Sequence, residues 1–119
     1  MAQHNELGKK GEQLAVDFLF KNGYEIVERN YRFDKAEVDI IARKDNILAI
    51  VEVKTRSTKD FGNPQDFVKS KQIKNLVKAV DEYVNENDLD IEVRFDIIAI
   101  VKEKKGFKIE HLENAFYYF

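Results

Sequence analysis

The sequence predicts an α/β domain built on a mixed five-stranded sheet flanked by helices, and three observations predict it. Two stretches, about 5–22 and 67–85, carry apolar residues at the spacing of a helix face. Five others, within 24–33, 36–43, 48–54, 91–101 and 107–112, are short, rich in branched aliphatics and aromatics, and bounded by turn residues. Their order gives a three-stranded meander, a crossover helix and two further strands. A strand–helix–strand unit crosses over with right-handed chirality, so the strand after the helix runs parallel to the one before it. With 119 residues the chain makes one domain, 1–119, able to bury a core of its own.

The first helix is expected from Asn5 as N-cap to Asn22, with Gly23 as C-cap and Leu7, Leu14 and Phe18 on one face. Ala15 and Leu19 lie on the flank of that face, with Glu12 just beyond Leu19. Glu12 therefore sits at the edge of burial, either as an ordinary boundary glutamate or as a group reaching inward. Tyr24 to Phe33 alternates as a first strand with Ile26 inward, and Arg32 and Lys35 beyond it are either substrate contacts or a solvated strand edge. Lys44-Asp45-Asn46-Ile47 reads as a four-residue hairpin loop, which sets Arg43 against Leu48, Ile41 against Ile50, Asp39 against Glu52 and Glu37 against Lys54. From Thr55 to about Asp66 the pattern stops at Ser57, Thr58, Gly62, Asn63 and Pro64, marking a loop that either closes on a substrate or simply connects.

The second helix, Phe67 to about Asn85, carries Ile73, Leu76, Val77, Val80 and Val84 on its apolar side. Lys71, Lys74 and Lys78 gather on the other side with Gln72 at the margin, either as a solvated face or as a phosphate-contacting one. Ile91 to Val101 forms the next strand, in which Arg94 and Asp96 make a structural ion pair, and Phe107 to Leu112 returns by hairpin as an edge strand. The aromatic ending Ala115-Phe116-Tyr117-Tyr118-Phe119 suits packing or a homodimer contact better than base stacking.

The acids of the meander carry the chemistry. Residues two apart in a strand share a face, and directly opposed residues have Cβ atoms roughly 4.5–5.5 Å apart. Asp39 opposite Glu52 is thus a like-charge contact, unfavourable unless something positive lies between. Mg²⁺ suits hard carboxylate oxygens and commonly takes one or two of them, leaving other positions to water and phosphate. Lys54, one strand step away, would hold a phosphate or polarise an attacking water. The plainer account is an exposed sheet face whose opposite charges pair by chance.

Composition narrows the chemistry further. Apolar residues make up 44% and charged residues 35% of the chain, the balance of a globular protein with a heavily charged exterior. With no cysteine and only His4 and His111, disulfides, thiolate metal sites and Ser-His-Asp chemistry are excluded or remote. No long apolar run or charged-then-apolar leader is present, so the expectation is no membrane and a cytoplasmic location. The net charge is −2, but 54–78 carries seven basic residues against two acids, +5, which leaves −7 on the remainder. A local positive surface on an acidic body can attract phosphate without indiscriminate binding.

An ordered set of motifs runs through nearly the whole chain: Gly8, Gly11, Glu12 and Ala15; Ala36-Glu37-Val38-Asp39-Ile40-Ile41-Ala42; Val51-Glu52-Val53-Lys54-Thr55-Arg56; Phe61-Gly62 and Pro64; Lys71-Gln72; Arg94-Phe95-Asp96; and Asn114-Ala115-Phe116. It resembles the small, uncharacterised YraN-like bacterial family, placed in the restriction-endonuclease-like PD-(D/E)XK superfamily, with Ala36 where that family usually has Gly. The resemblance implies a restriction-endonuclease-like core and a nuclease, or a nuclease-derived protein, that binds nucleic acid, DNA above all. It implies that Asp39, Glu52, the Val53 carbonyl and Glu12 hold Mg²⁺ or Mn²⁺ for phosphodiester hydrolysis. Lys54 then orients the nucleophile or balances charge, and Lys71 and Gln72 sit beside the centre. Together with the basic face of the second helix, the expected nucleic-acid-binding residues are Arg56, Lys71, Gln72, Lys74 and Lys78. The rival expectation is a non-catalytic module that keeps the fold and binds nucleic acid or a protein.

Overall fold

A computed structural model describes residues 2–57 and 70–115, with the side chains of residues 2–5 and 70 outside that description. The loop expected to close on a substrate lies largely in 58–69, and the aromatic ending in 116–119; both fall outside the described residues, as does the expected start of the second helix at Phe67. The elements are α1 (Ala2–Lys21), β1 (Glu25–Phe33), β2 (Ala36–Lys44), β3 (Ile47–Arg56), α2 (Ser70–Glu86), β4 (Glu92–Glu103) and β5 (Gly106–Leu112). They form a five-stranded sheet in the order β1-β2-β3-β4-β5, antiparallel throughout except for β3 and β4, which are parallel across the α2 connection.

Apolar side chains fill both faces of the sheet. On the α2 face Val38, Ile41, Leu48, Ile50, Phe95 and Ile97 pack with Leu76, Ala79, Val80 and Tyr83, and Tyr31 meets Tyr83 edge-on at 5.3 Å between ring centroids. Ile73, Val77 and Val84 flank that contact, so α2 seats on a line shifted toward Ala79 and Tyr83 relative to the expected stripe. On the α1 face Ile40, Ala42, Ala49, Val51, Ile98 and Ile100 pack with Ala15, Leu19 and Tyr24.

Helix α1 departs from expectation at its start and in its buried face. It begins at Ala2, which leaves Asn5 inside the helix, because no Gly or Pro precedes Asn5 to stop the turn. Its buried line is Gly11, Ala15 and Leu19, while Leu7, Leu14 and Phe18 are only half-buried. The cause is close approach to β3: a Cβ at Gly11 would overlap Thr55 Oγ1 and lie 2.9 Å from Thr55 Cβ and Cγ2. Small residues let the helix axis sit near the sheet, and the larger side chains splay to either side. The C-terminus ends as expected at Gly23, whose φ of 91° suits glycine. Tyr24 N donates to Leu19 O and Gly23 N to Phe20 O, a Schellman arrangement that satisfies the last carbonyls.

The β2–β3 hairpin keeps the expected register at Arg43↔Leu48 and Ile41↔Ile50 but has a tighter turn, since Lys44 pairs with Ile47 and only Asp45 and Asn46 form the loop. Asp45 takes a φ of 54°, which Asp tolerates better than most residues. Of the other two expected pairs, neither Asp39 with Glu52 nor Glu37 with Lys54 belongs to the ladder. Glu37 instead faces the other neighbouring strand. It lies across from Arg32 in β1 and forms a 2.6 Å ion pair with it, because the β2–β3 ladder ends at Ile40↔Val51.

Beneath α1, Asp96 is fully buried and densely bonded. Arg94 grips it with Nε to Oδ1 at 2.9 Å and Nη2 to Oδ2 at 2.8 Å; His111 Nε2 lies 2.8 Å from Oδ2, and Asn114 N donates to Oδ1. Arg94 Nη2 also donates to the Tyr24 hydroxyl, tying the end of α1 to β4 and β5. Burial by itself would raise the Asp96 pKa, but the hydrogen bonds and charges of His111 and Arg94 hold it below the usual carboxylate range.

Candidate active site

The site begins where the β2–β3 ladder stops. Beyond Ile40↔Val51 the two strands no longer pair through their main chains. Instead Asp39 Oδ2 accepts a 2.8 Å hydrogen bond from Val53 N, standing in for a strand carbonyl. Across β1, Asn30 holds a φ of 53° between the paired residues Arg29↔Ile40 and Tyr31↔Val38. Val38 and Tyr31 belong to the α2 face, whereas Ile40 packs in the α1 core and Arg29 reaches α1. Both strands therefore change face at this one level, although residues two apart normally share a face. The kink turns the Asp39 carboxylate toward the neighbouring strand rather than above or below the sheet.

Glu52 projects into the α2 side and is 4% exposed. Its Oε2 accepts a 3.0 Å hydrogen bond from Gln72 Nε2, while its Oε1 is buried with no hydrogen-bond partner among the described residues. A buried acceptor left unpaired is costly, and a carboxylate more so. Burial foremost, then the charge of Asp39, pushes Glu52 up to about 8, with Lys54 pulling the other way. Burial likewise pushes Asp39 up to about 6; the Val53 hydrogen bond opposes the rise and the Glu12 charge adds to it. Two carboxylates crowded into a shielded space each favour protonation of the other.

Two clefts meet at Asp39, and the smaller also reaches Glu52. The smaller, of about 480 Å³, lies against α2 and is lined by Asp39, Glu52, Lys35, Lys71, Gln72 and Asn75, among others. The larger, of about 1020 Å³, runs along α1 and includes Glu12, Asn30, Asp39, Val53 and Arg56. Asp39 belongs to both.

The expected site residues divide accordingly. Asp39, Glu52 and Lys54 come together: half-buried Lys54 is near enough to lower both carboxyl pKa values, although it lines neither cleft. Val53 supplies its N–H to Asp39. Glu12 faces the larger cleft with its Oε1 bound by Arg29 Nη2 at 3.2 Å and Asn30 Nδ2 at 3.1 Å. Lys71 and Gln72 line the smaller cleft; Lys74 and Lys78 are exposed on α2 and line neither. Arg56 lines the larger cleft and donates to Thr55 O at 2.9 Å. Sequence reasoning missed Arg29 and Asn30, which hold Glu12. An Asn inside an otherwise apolar-alternating strand, tolerant of left-handed φ, was the available signal.

The donor set fits a hard divalent cation. Asp39 and Glu52 offer two carboxylates, one with an unpartnered buried oxygen, and Mg²⁺ commonly binds through one or two protein carboxylates. Among the described residues no group of three or more His, Asp or Glu side chains is gathered tightly enough to form a cage of protein ligands alone.

Among the described residues no helix is long and apolar enough to cross a membrane. Comparison with known proteins places the chain among bacterial relatives. It is 68% identical over 119 residues to a UPF0102 protein of Christiangramia forsetii, with both chains fully covered. A UPF0102 protein of Flavobacterium psychrophilum matches at the same identity and full coverage, and one of Phocaeicola vulgatus at 48% over 117 residues, covering 98% of this chain and 97% of the relative. The model of the uncharacterised protein family UPF0102 matches residues 11–100, which span β1 to β3, α2 and most of β4 together with the Asp39–Glu52 pair, and the chain belongs to that family.

Proposed function

We propose that this protein is a metal-dependent nuclease of restriction-endonuclease-like fold, hydrolysing phosphodiesters at Asp39, Glu52 and Lys54. The observation that carries the proposal is the buried Asp39–Glu52 pair, with Glu52 Oε1 unpartnered among the described residues, set at the splayed end of two strands and opening on clefts that carry basic residues. The meander, the parallel crossover and the Glu-x-Lys strand support the superfamily reading.

Asp39, Glu52 and the Val53 carbonyl would hold Mg²⁺ or Mn²⁺, and Glu12, fixed by Arg29 and Asn30, adds negative charge beside them. When bound, such an ion supplies positive charge against the phosphate and lowers the pKa of water. The hydrogen bond from Val53 N fixes one oxygen of Asp39, and that from Gln72 fixes one oxygen of Glu52, so each carboxylate presents its other oxygen in a set direction. Burial and the charge of Asp39 push Glu52 up to about 8, so a cation held there would compete with a proton. Lys54 contributes a fixed positive charge where the phosphate gains negative charge during displacement.

The test is a cleavage screen of single-stranded, duplex and branched DNA and of RNA with Mg²⁺ and Mn²⁺, beside the Asp39→Ala and Glu52→Ala proteins. Cleavage by the parent alone is expected. Equal cleavage by both variants, with native circular dichroism spectra, excludes this mechanism.

A further inference from the structure

Two glycines in α1 lie one turn apart and are not alike. Gly11 is required by the protein itself, because Thr55 occupies the space a side chain would need. Gly8 is not: among the described residues a Cβ there meets nothing within 4 Å, its φ is not positive, and it is exposed in the interior of the helix. Glycine at such a position weakens a helix relative to alanine, with no compensating contact among the described residues. Gly8 lies on the wall of the larger cleft, which continues to Asp39 and Val53.

We infer that the α1 cleft is the track for a nucleic-acid strand, with Gly8 allowing the strand to lie against the helix backbone and Lys9, Arg32 and Arg56 contacting its phosphates. The inference rests on the nuclease reading of the Asp39–Glu52 site and names which side of the sheet the substrate enters. Among the cleft's charges, Arg29 is committed to Glu12, whereas Arg32 and Glu37 form an exposed pair. Exposed pairs are weak and exchange readily, so a phosphate can replace the Glu37 carboxylate on Arg32. Lys9 has no ion-pair partner among the described residues, and Arg56 is steadied by donating to its neighbour's carbonyl. The α2 cleft is under half the volume, and among the described residues its cations are Lys35 and Lys71. The track thus differs from the lysine face of α2 that the sequence singles out.

Binding of fluorescein-labelled 20-nucleotide DNA, single-stranded and as a duplex, is measured by anisotropy in EDTA over a range of salt, so that no cleavage intervenes. Lys9→Ala, Arg32→Gln and Arg56→Ala are each expected to weaken binding about tenfold and to flatten the log K against log salt slope by about 0.7 to 0.9. The arm with the larger loss identifies the form of strand bound. Gly8→Ala is expected to raise the melting temperature by a few degrees, since it removes only a helix penalty. Gly8→Leu, also a good helix former, is expected to fold normally and bind at least tenfold more weakly. If these four binding variants bind like the parent while Lys71→Ala, Lys74→Ala and Lys78→Ala lose affinity, the track is overturned and the nuclease reading stands. If neither form of DNA binds the parent, the track is overturned, and the cleavage screen independently decides the fate of the nuclease reading.

Discussion

Glu52→Gln removes a charge but little volume, and it should make the protein more stable at neutral pH while abolishing the proposed cleavage. In the folded chain Glu52 has a pKa of about 8 against 4.5 for an ordinary glutamate, chiefly through burial and then through Asp39. Between those values the folded state holds a proton that the unfolded state has lost, so stability falls as pH rises from the lower to the upper value. At roughly 1.4 kcal/mol per pKa unit, the loss between acid and pH 7 is about 3 kcal/mol. Glutamine has no such loss. It can still accept from Gln72 through its carbonyl oxygen, but its amide then replaces the unpartnered Oε1, a loss of about 1 kcal/mol. The variant should therefore exceed the parent by about 2 kcal/mol at pH 7, several degrees in melting temperature, with the advantage vanishing or reversing near pH 4.5. Urea unfolding of both proteins across this range measures the difference directly, and titrations of groups remote from the Asp39–Glu52 pair cancel. An advantage independent of pH, or a parent more stable at pH 7, would refute the account of Glu52 as a strained buried acid.

The same strain predicts a response to metal: Mg²⁺ or Mn²⁺ at millimolar concentration should raise the parent's melting temperature at pH 7 and leave that of Glu52→Gln and Asp39→Ala unmoved, as differential scanning fluorimetry will show. Gly11→Ala should destabilise by about 1–3 kcal/mol, because the added methyl meets Thr55. Adding Thr55→Ala should recover part of that loss, a coupling that a double-mutant cycle in urea measures. Asp96→Leu, which leaves Arg94 buried without its carboxylate, should lose about 3–5 kcal/mol in the same assay, and a loss under 1 kcal/mol would show that the network is not a structural clamp.

Much of the fold was written in local pattern. Two aliphatic runs either side of the Asp45-Asn46 turn placed two strands and their register at Ile41↔Ile50, since the position of a hairpin turn fixes which residues face each other. The length and periodicity of 67–85 predicted a crossover helix, and so a parallel β4, as α2 and the β3–β4 pairing have it. The acids stood out because charge in aliphatic strands is unfavourable. Glu37 shows the limit of that reasoning: extending the ladder by arithmetic paired it with Lys54, but a ladder lasts only while both main chains stay in step.

By itself, then, the sequence determined the order of elements, the approximate extents of the strands and the residue types gathered near the Glu-x-Lys strand, because these follow from local pattern along the chain. Tertiary structure decided what depends on distance between segments remote in sequence. Gly11 and Thr55 set how closely α1 approaches the sheet, and Arg29 and Asn30 determine how Glu12 is held. At the kink opposite Asn30, Asp39 gives its carboxylate to Val53 N where main-chain pairing ends. A side chain that replaces a backbone carbonyl leaves no periodic trace, because the hydrogen bond is defined by where two strands part and not by the spacing of either one.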